Sequence, residues 1–231
     1  MSLLRLSGSV FALGLASLLG LACLPAAAEL PASGQSDCLA GSASVACSPA
    51  NSTAMSYTKL GAGGETLDAA ATAWSCVRDN VTGLVWEAKT ADAGLRGVGH
   101  RYAWFNADAN RNGGEPGSAG STESCAGTLG GPACNTANYI DAINAANLCG
   151  AGDWRLPSQM ELLSLVHAGA IRPAIDTGYF PHTASTPYWS ASTHAKMPAA
   201  AWGTHFNNGV SHAETKAATN AVRLVRGSWR P

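Results

Sequence analysis

Cys149-Gly150-Ala151-Gly152-Asp153-Trp154-Arg155-Leu156-Pro157-Ser158-Gln159-Met160-Glu161-Leu162 is the stretch on which the fold turns. It closes one helix, inserts a Trp-Arg-Leu-Pro turn and opens a second helix. Upstream, Tyr139, Ile140, Ile143 and Ala146 recur at helical spacing. The spacing predicts a helix capped at Asn135 or Thr136 and ending near Leu148 before Gly150. Downstream, Ser158 and Glu161 form an S-x-x-E capping box, in which the hydroxyl accepts from the third helical amide and the carboxylate reaches back to the cap amide. Leu162, Leu163, Leu165 and Val166 give the buried face, and Gly169 offers a stop. A Trp and a Leu bracketing an Arg between two helices predict core residues around a buried or half-buried ion pair. Stacking of Trp154 on a sugar and pairing of Arg155 with an anion are the functional alternative.

On either side of this helical centre the signals are those of strands. Ser75-Cys76-Val77-Arg78, a turn at Asp79-Asn80-Val81-Thr82-Gly83 and Leu84-Val85-Trp86 read as a hairpin. Tyr102-Ala103-Trp104-Phe105 enters a long polar loop, Asn106 to Asn135, that carries two cysteines. Beyond the second helix, Tyr188 to Ser192 and Ala201 to Phe206 are strand candidates. Asn207-Asn208-Gly209 should turn the chain into Val210-Ser211-His212, and Ala221 to Arg226 alternates as a last strand. Strands, two helices and strands again make an α+β domain rather than a βαβ sheet. Residues 29–72, rich in Ala, Gly, Ser and Thr, read as an extended lead-in to a domain covering residues 73–231.

Arg5, the uncharged run Phe11 to Leu24 and Ala26-Ala27-Ala28 have the order of a secretory signal spanning residues 1–28. That apolar run is too short to favour a membrane span. Leu21-Ala22-Cys23 leaves a lipid anchor as a minor alternative. Six cysteines follow: Cys38, Cys47, Cys76, Cys125, Cys134 and Cys149. In an exported chain this even number predicts three disulfides. Local closure favours Cys38–Cys47 and Cys125–Cys134, which leaves Cys76–Cys149 as a long-range staple. In the chain-entropy treatment the short loops contribute about 2.7 kcal/mol each and the long one about 4.5 kcal/mol. The absence of a CxxC pair, or of His at ligand spacing from two cysteines, argues against zinc. Removing Arg5 from the 14 Lys and Arg leaves 13 against 15 Asp and Glu, a balance that excludes a general nucleic-acid binder.

The ordered blocks Asp79 to Trp86, Asp153 to Ser158, Glu161-Leu162, Tyr179-Phe180-Pro181, Tyr188-Trp189-Ser190 and Val222 to Arg226 resemble the Lcl C-terminal domain family. This bacterial extracytoplasmic group is named after the C-terminal domain of a collagen-like adhesin, and the resemblance covers about residues 74–227. It implies a C-type lectin-like fold: a small twisted antiparallel sheet, two helices and long loops, here stapled by disulfides. It also implies surface exposure and, in the adhesin, binding of sulfated polysaccharides. The collagen-like repeat of the adhesin is absent from this sequence.

The candidate ligand-binding residues are Tyr102, Trp104, Trp189, Trp202, His205, Asn207, Asn208 and Arg223, with contacts expected from loops 100–135 and 182–220. The aromatic groups among them could equally serve the core. His205 and His212 would face each other if Asn208-Gly209 formed a two-residue turn. Lys216, Arg223, Arg226 and Arg230 make the C-terminal region locally basic. Asp108-Ala109-Asn110-Arg111-Asn112-Gly113 matches the first half of a calcium loop, with Asp108, Asn110 and Asn112 as ligands. The second half fails at Pro116 and Ala119. No catalytic residue is assigned and no cofactor is expected apart from this possible calcium. The reading is a non-enzymatic, exported binding or adhesion domain for a glycan or a cell-surface protein, secreted, periplasmic or on the cell surface. The alternative is a structural accessory subunit of an envelope assembly, with an enzyme third.

Overall fold

The computed structural model describes residues 33–34, 37–40, 43–46 and 55–229, of which 37–40 and 43–46 as backbone only. The expected signal segment, Cys23, the pairing of Cys38 with Cys47, and Arg230 lie outside the described residues. A hairpin of β1 (Asp37–Ala40) and β2 (Ala43–Ala46) comes first. The main sheet follows with β3 (Tyr57–Leu60), β4 (Cys76–Asp79) and β5 (Val85–Glu87), each antiparallel to the next. Residues 57–60, in the sequence read as lead-in, are thus a strand of this sheet.

The turn between β4 and β5 forms where the sequence placed it. Asp79 Oδ1 accepts from the Val81 amide, and Asp79 Oδ2 accepts from the Thr82 hydroxyl at 2.7 Å. Gly83 takes φ +75°, a value that an L side chain would strain. The chain next makes the short β6 (Tyr102–Ala103) and the stapled loop, then α1 (Thr136–Ala145). Asn135 caps α1 by accepting from the Asn138 amide at 2.9 Å. Asn147 and Cys149 then turn left-handed, so α1 stops at Ala145, short of Leu148. Gly150 packs so close to the 61–64 loop that a Cβ would lie 2.7 Å from the Gly63 carbonyl.

α2 (Gln159–Leu163) starts with the expected capping box. It ends six residues before Gly169, because the Ser164 hydroxyl bonds back to the Glu161 carbonyl and the amides of Leu165 and Val166 close tighter i−3 turns. Leu165 is buried all the same. A second sheet contains β7 (Pro187–His194), β8 (Met197–His205) and β9 (Val210–Thr215) in that order. His205 pairs with Val210, so the chain turns into Val210 as expected, through the four residues 206–209 rather than a two-residue turn at Asn208-Gly209. His205 and His212 therefore sit diagonally, with rings 6.0 Å apart.

The expected final strand, residues 221–226, is different. β10 (Thr219–Asn220) pairs with β6, Ala221 hydrogen-bonds with Pro187 and Trp189, and only β11 (Val225–Arg226) joins β5. The segment crosses from one sheet to the other, so it has no wet face, and Val222, Arg223, Leu224 and Val225 are all buried. Two apolar clusters fill the interior. One gathers Tyr102, Trp104, Tyr139, Trp154 and Trp189 around the Cys76–Cys149 and Cys125–Cys134 disulfides. The other gathers Trp86, Leu162, Leu165, Phe180, Tyr188 and Phe206. The architecture is α+β, dominated by sheets, with both described disulfides paired as local closure predicted.

Candidate functional site

The Trp-Arg-Leu-Pro turn is held by its neighbours before its chemistry begins. The Asn144 side chain clasps Trp154, accepting its amide at 2.8 Å and donating to its carbonyl at 3.0 Å. The indole Nε1 donates to the Leu148 carbonyl at 2.9 Å, and Trp154 and Leu156 are buried. Backbone pairing of Arg155 with Val225 ties the turn to β11. The Arg155 guanidinium donates to both Glu161 oxygens, at 2.8 and 2.7 Å, and to the Gly227 carbonyl at 2.8 Å. The pair is half-buried, as the sequence predicts.

Burial pushes the Glu161 carboxyl up, but hydrogen bonds from Arg155 and the Ser158 amide outweigh it and hold it below its ordinary 4.5. A depressed folded pKa gives stability that is present above the unfolded value and is lost as pH falls through the folded one. Glu161→Gln should therefore cost about 1–2 kcal/mol at pH 7, reduced by solvent screening at Arg155. The gap from wild type should close below pH 4.5, which urea midpoints across pH would read.

This ion pair lines an open groove of about 610 Å³. Phe105, Ala137, Ile140, Leu156 and Ala191 give it an apolar lining, and Trp104 lies against it. Asn106 and Arg111 come from the loop after β6, and Asp141 comes from α1. With Arg155 and Glu161 satisfying each other, Arg111 and Asp141 are the other two charged residues of the groove lining. The Arg111 side chain is 79% exposed and, among the described residues, forms its ion pair with Asp108, at 3.9 Å. Asp141 is exposed and makes no ion pair among the described residues.

Of the eight proposed ligand-binding residues, only Trp104 borders this groove. Tyr102, Trp104, Trp189 and Arg223 have essentially no exposed surface. Trp104 Nε1 donates to the Ser190 carbonyl at 2.9 Å and Trp189 Nε1 to the Tyr102 carbonyl at 2.8 Å. Arg223 donates to the Glu87 carbonyl at 2.7 Å and to the Thr183 hydroxyl at 2.8 Å. Trp202 stacks on His194 at 5.2 Å. His205, Asn207 and Asn208 come together at the β8–β9 turn, where they do not line the groove. Among the described residues the C-terminal cations do not form a patch: Arg223 and Lys216 are buried, and Arg226 donates to Asp153 at 2.6 Å. In the 108–113 segment, Asp108 and Asn112 accept from the backbone amides of Asn110 and Gly114, each at 3.0 Å. Among the described residues, no three His, Cys, Asp or Glu side chains gather as a metal site.

Sequence reasoning missed Arg111, Asp141 and Phe105 as partners in one groove. One signal was available. Ala137, Ile140, Asp141 and Asn144 share a second face of α1, distinct from the buried Thr136, Tyr139 and Ile143. The blocks that build the groove and its supports occur in the order of a known family, and the sequence model of the Lcl C-terminal domain matches residues 75–226. The chain belongs to the Lcl C-terminal domain family. The match starts one residue before β4 and ends with β11, so this Lcl C-terminal domain contains the Trp-Arg-Leu-Pro turn, α1, α2 and the whole groove. No curated protein and no solved structure matches the chain. No described helix is long and apolar enough to cross a membrane.

Proposed function

We propose that this Lcl C-terminal domain is an exported, non-enzymatic binding or adhesion domain that takes a glycan or a cell-surface protein into the groove beside Arg155. The observation that carries this reading is the pair of exposed, opposite charges, Arg111 and Asp141, bordering an apolar lining. A concave site with apolar walls and a few convergent polar groups is the usual form of a ligand site. The two buried disulfides support an oxidising compartment: the periplasm, the cell surface or the medium. Sheets flanked by two helices and long loops support a C-type lectin-like arrangement, in which loops carry the ligand.

Saturable binding by the wild-type protein is expected on a glycan array that includes sulfated polysaccharides. Arg111→Ala and Asp141→Ala should each weaken it about tenfold, the effect of losing one charged contact. Binding that survives both substitutions unchanged would remove the groove from the reading. The accessory-subunit reading rests on Met160, Ile171, Met197 and Val210, apolar side chains between 49% and 71% exposed. No binding on the array, together with co-purification of an envelope complex that is lost in Met160→Glu, would favour it.

A further inference from the structure

Asp108-Ala109-Asn110-Arg111-Asn112-Gly113 begins like a calcium loop, yet two of its three candidate side-chain ligands, Asp108 and Asn112, bond to the loop's own backbone. The side chains of Asn106, Asp108 and Asn112 accept from the amides of Asp108, Asn110 and Gly114 at 2.9, 3.0 and 3.0 Å. The carbonyls of Asn112 and Glu115 turn towards the protein instead. There they meet the ammonium of Lys216, at 2.7 and 2.5 Å. The Trp104 ring lies 4.3 Å from the same nitrogen. Lys216 is 1% exposed and has no carboxylate within 4.0 Å among the described ion pairs. Its backbone is fixed at both ends, the amide donating to the Ala199 carbonyl and the carbonyl accepting from the Trp104 amide. The positive charge therefore arrives from a rigid strand end at a place where two carbonyl oxygens and an aromatic face converge. Those groups satisfy a cation that water cannot reach. The residues present do not fit calcium: Lys216 takes the Asn112 and Glu115 carbonyls, Pro116 and Ala119 stand at the ninth and twelfth loop positions, and no three His, Cys, Asp or Glu side chains gather here among the described residues.

We infer that Lys216 is the built-in cation of the 106–117 loop, ordering without metal the groove wall that carries Asn106 and Arg111. The two glycines at the loop's close approaches agree with this. Gly113, at φ +67°, packs on Thr193, and Gly117, at φ +89°, lies against the Trp104 carbonyl. Either position would strain under a side chain, so the loop fits one arrangement against the body of the domain. The consequence for ligand binding rests on the groove reading above; the role of the cation does not.

Limited trypsin digestion reads the loop directly, because Arg111 is an exposed cleavage site inside it. In the wild-type protein, neither millimolar calcium nor EDTA should change the rate of cleavage at Arg111 or the thermal midpoint. Lys216→Ala should be cut at Arg111 at least tenfold faster and melt roughly 5–10 °C lower. Propylammonium, which replaces the missing cation, should restore much of the protection, whereas equal sodium chloride should not. Lys216→Met keeps the bulk and loses the charge, so it carries the test even if the alanine variant does not fold. It should be cut as fast as the alanine variant. Wild-type protection that depends on calcium would overturn the inference, as would a methionine variant as resistant as wild type. These readouts need no ligand, so a failed glycan array leaves them unaffected.

Discussion

Glu87→Ala should cost about 3–5 kcal/mol, one of the two largest losses expected of any change in this domain. Glu87 is fully buried at the end of β5. Its Oε1 accepts from the Lys89 ammonium at 2.9 Å and from the Tyr139 hydroxyl. Its Oε2 accepts from the Leu224 amide at 3.0 Å. Removing the carboxylate leaves that amide without its partner and the Lys89 ammonium inside the protein without a counter-ion. Burial already pushes the Lys89 pKa below its ordinary 10.5, while Glu87 pulls it up. Without Glu87 the depression deepens. A lysine with a depressed folded pKa is penalised in the folded state at low pH, and the penalty lifts as pH rises towards the unfolded value. The variant should therefore gain stability relative to wild type between pH 7 and about pH 9.5, a span below the unfolded lysine value in which the unfolded chain binds the proton more tightly than the folded one. Guanidinium midpoints at the two pH values test this. A variant within about 1 kcal/mol of wild type at pH 7 would mean that the network adds little. Replacing Glu87 by Leu and Lys89 by Met together should cost less than the two single changes added, because no unpaired charge remains.

Much of the frame was legible because its determinants are local. Ser158 and Glu161 lie within one turn, and the same pattern that predicts the box produces it. Asp79 and Gly83 fix the β4–β5 turn within five residues. The misreadings fall where distant parts of the chain decide. Alternation along residues 221–226 presumes one dry and one wet face, but this segment lies between two sheets, so Arg223 has nowhere to point except inward. There Phe180 and Tyr188 lie 4.9 and 5.9 Å from its guanidinium carbon. The β8–β9 turn was legible, but its length was not, because Asn207, Asn208 and Gly209 are all suited to turns. Arg172, which donates its amide to the Asn207 carbonyl from another loop, helps to select the four-residue form.

The candidate site was legible only in part, for a related reason. Large aromatic residues mark a ligand platform and a core equally well. Trp104 and Trp189 went to the core because each indole nitrogen finds a buried carbonyl. Arg155 was correctly read as an ion-pair residue, but nothing nearby in the chain says that its pair lines a groove. Arg111 and Asp141 are 30 positions apart, and only the stapled loop and α1 bring them to the same cavity. Lys216 shows the limit most clearly. In the sequence it adds to a basic region, whereas in the fold it reaches back to carbonyls more than 100 residues earlier.

The Cys76–Cys149 disulfide should matter more than Cys125–Cys134, although both are buried. The first closes a loop with a sequence separation of 73 and the second one of 9. In the chain-entropy treatment, opening them loosens the unfolded chain by about 4.5 and 2.7 kcal/mol respectively. The native contacts point the same way. Cys76 sits in β4, and Cys149 follows α1 in a left-handed turn against the 61–64 loop, so the bond clamps the main sheet to the helix that carries Ile140 and Asp141. The short bridge clamps only the tip of the stapled loop to the base of α1. Paired Cys→Ala variants separate the two, since alanine leaves no buried hydroxyl. Denaturant midpoints should fall in the order wild type, Cys125→Ala with Cys134→Ala, then Cys76→Ala with Cys149→Ala. The last variant should also lose near-ultraviolet dichroism from Trp154, which lies in the same cluster. The reverse order would show that the stapled loop, rather than the sheet-to-helix clamp, holds the domain together.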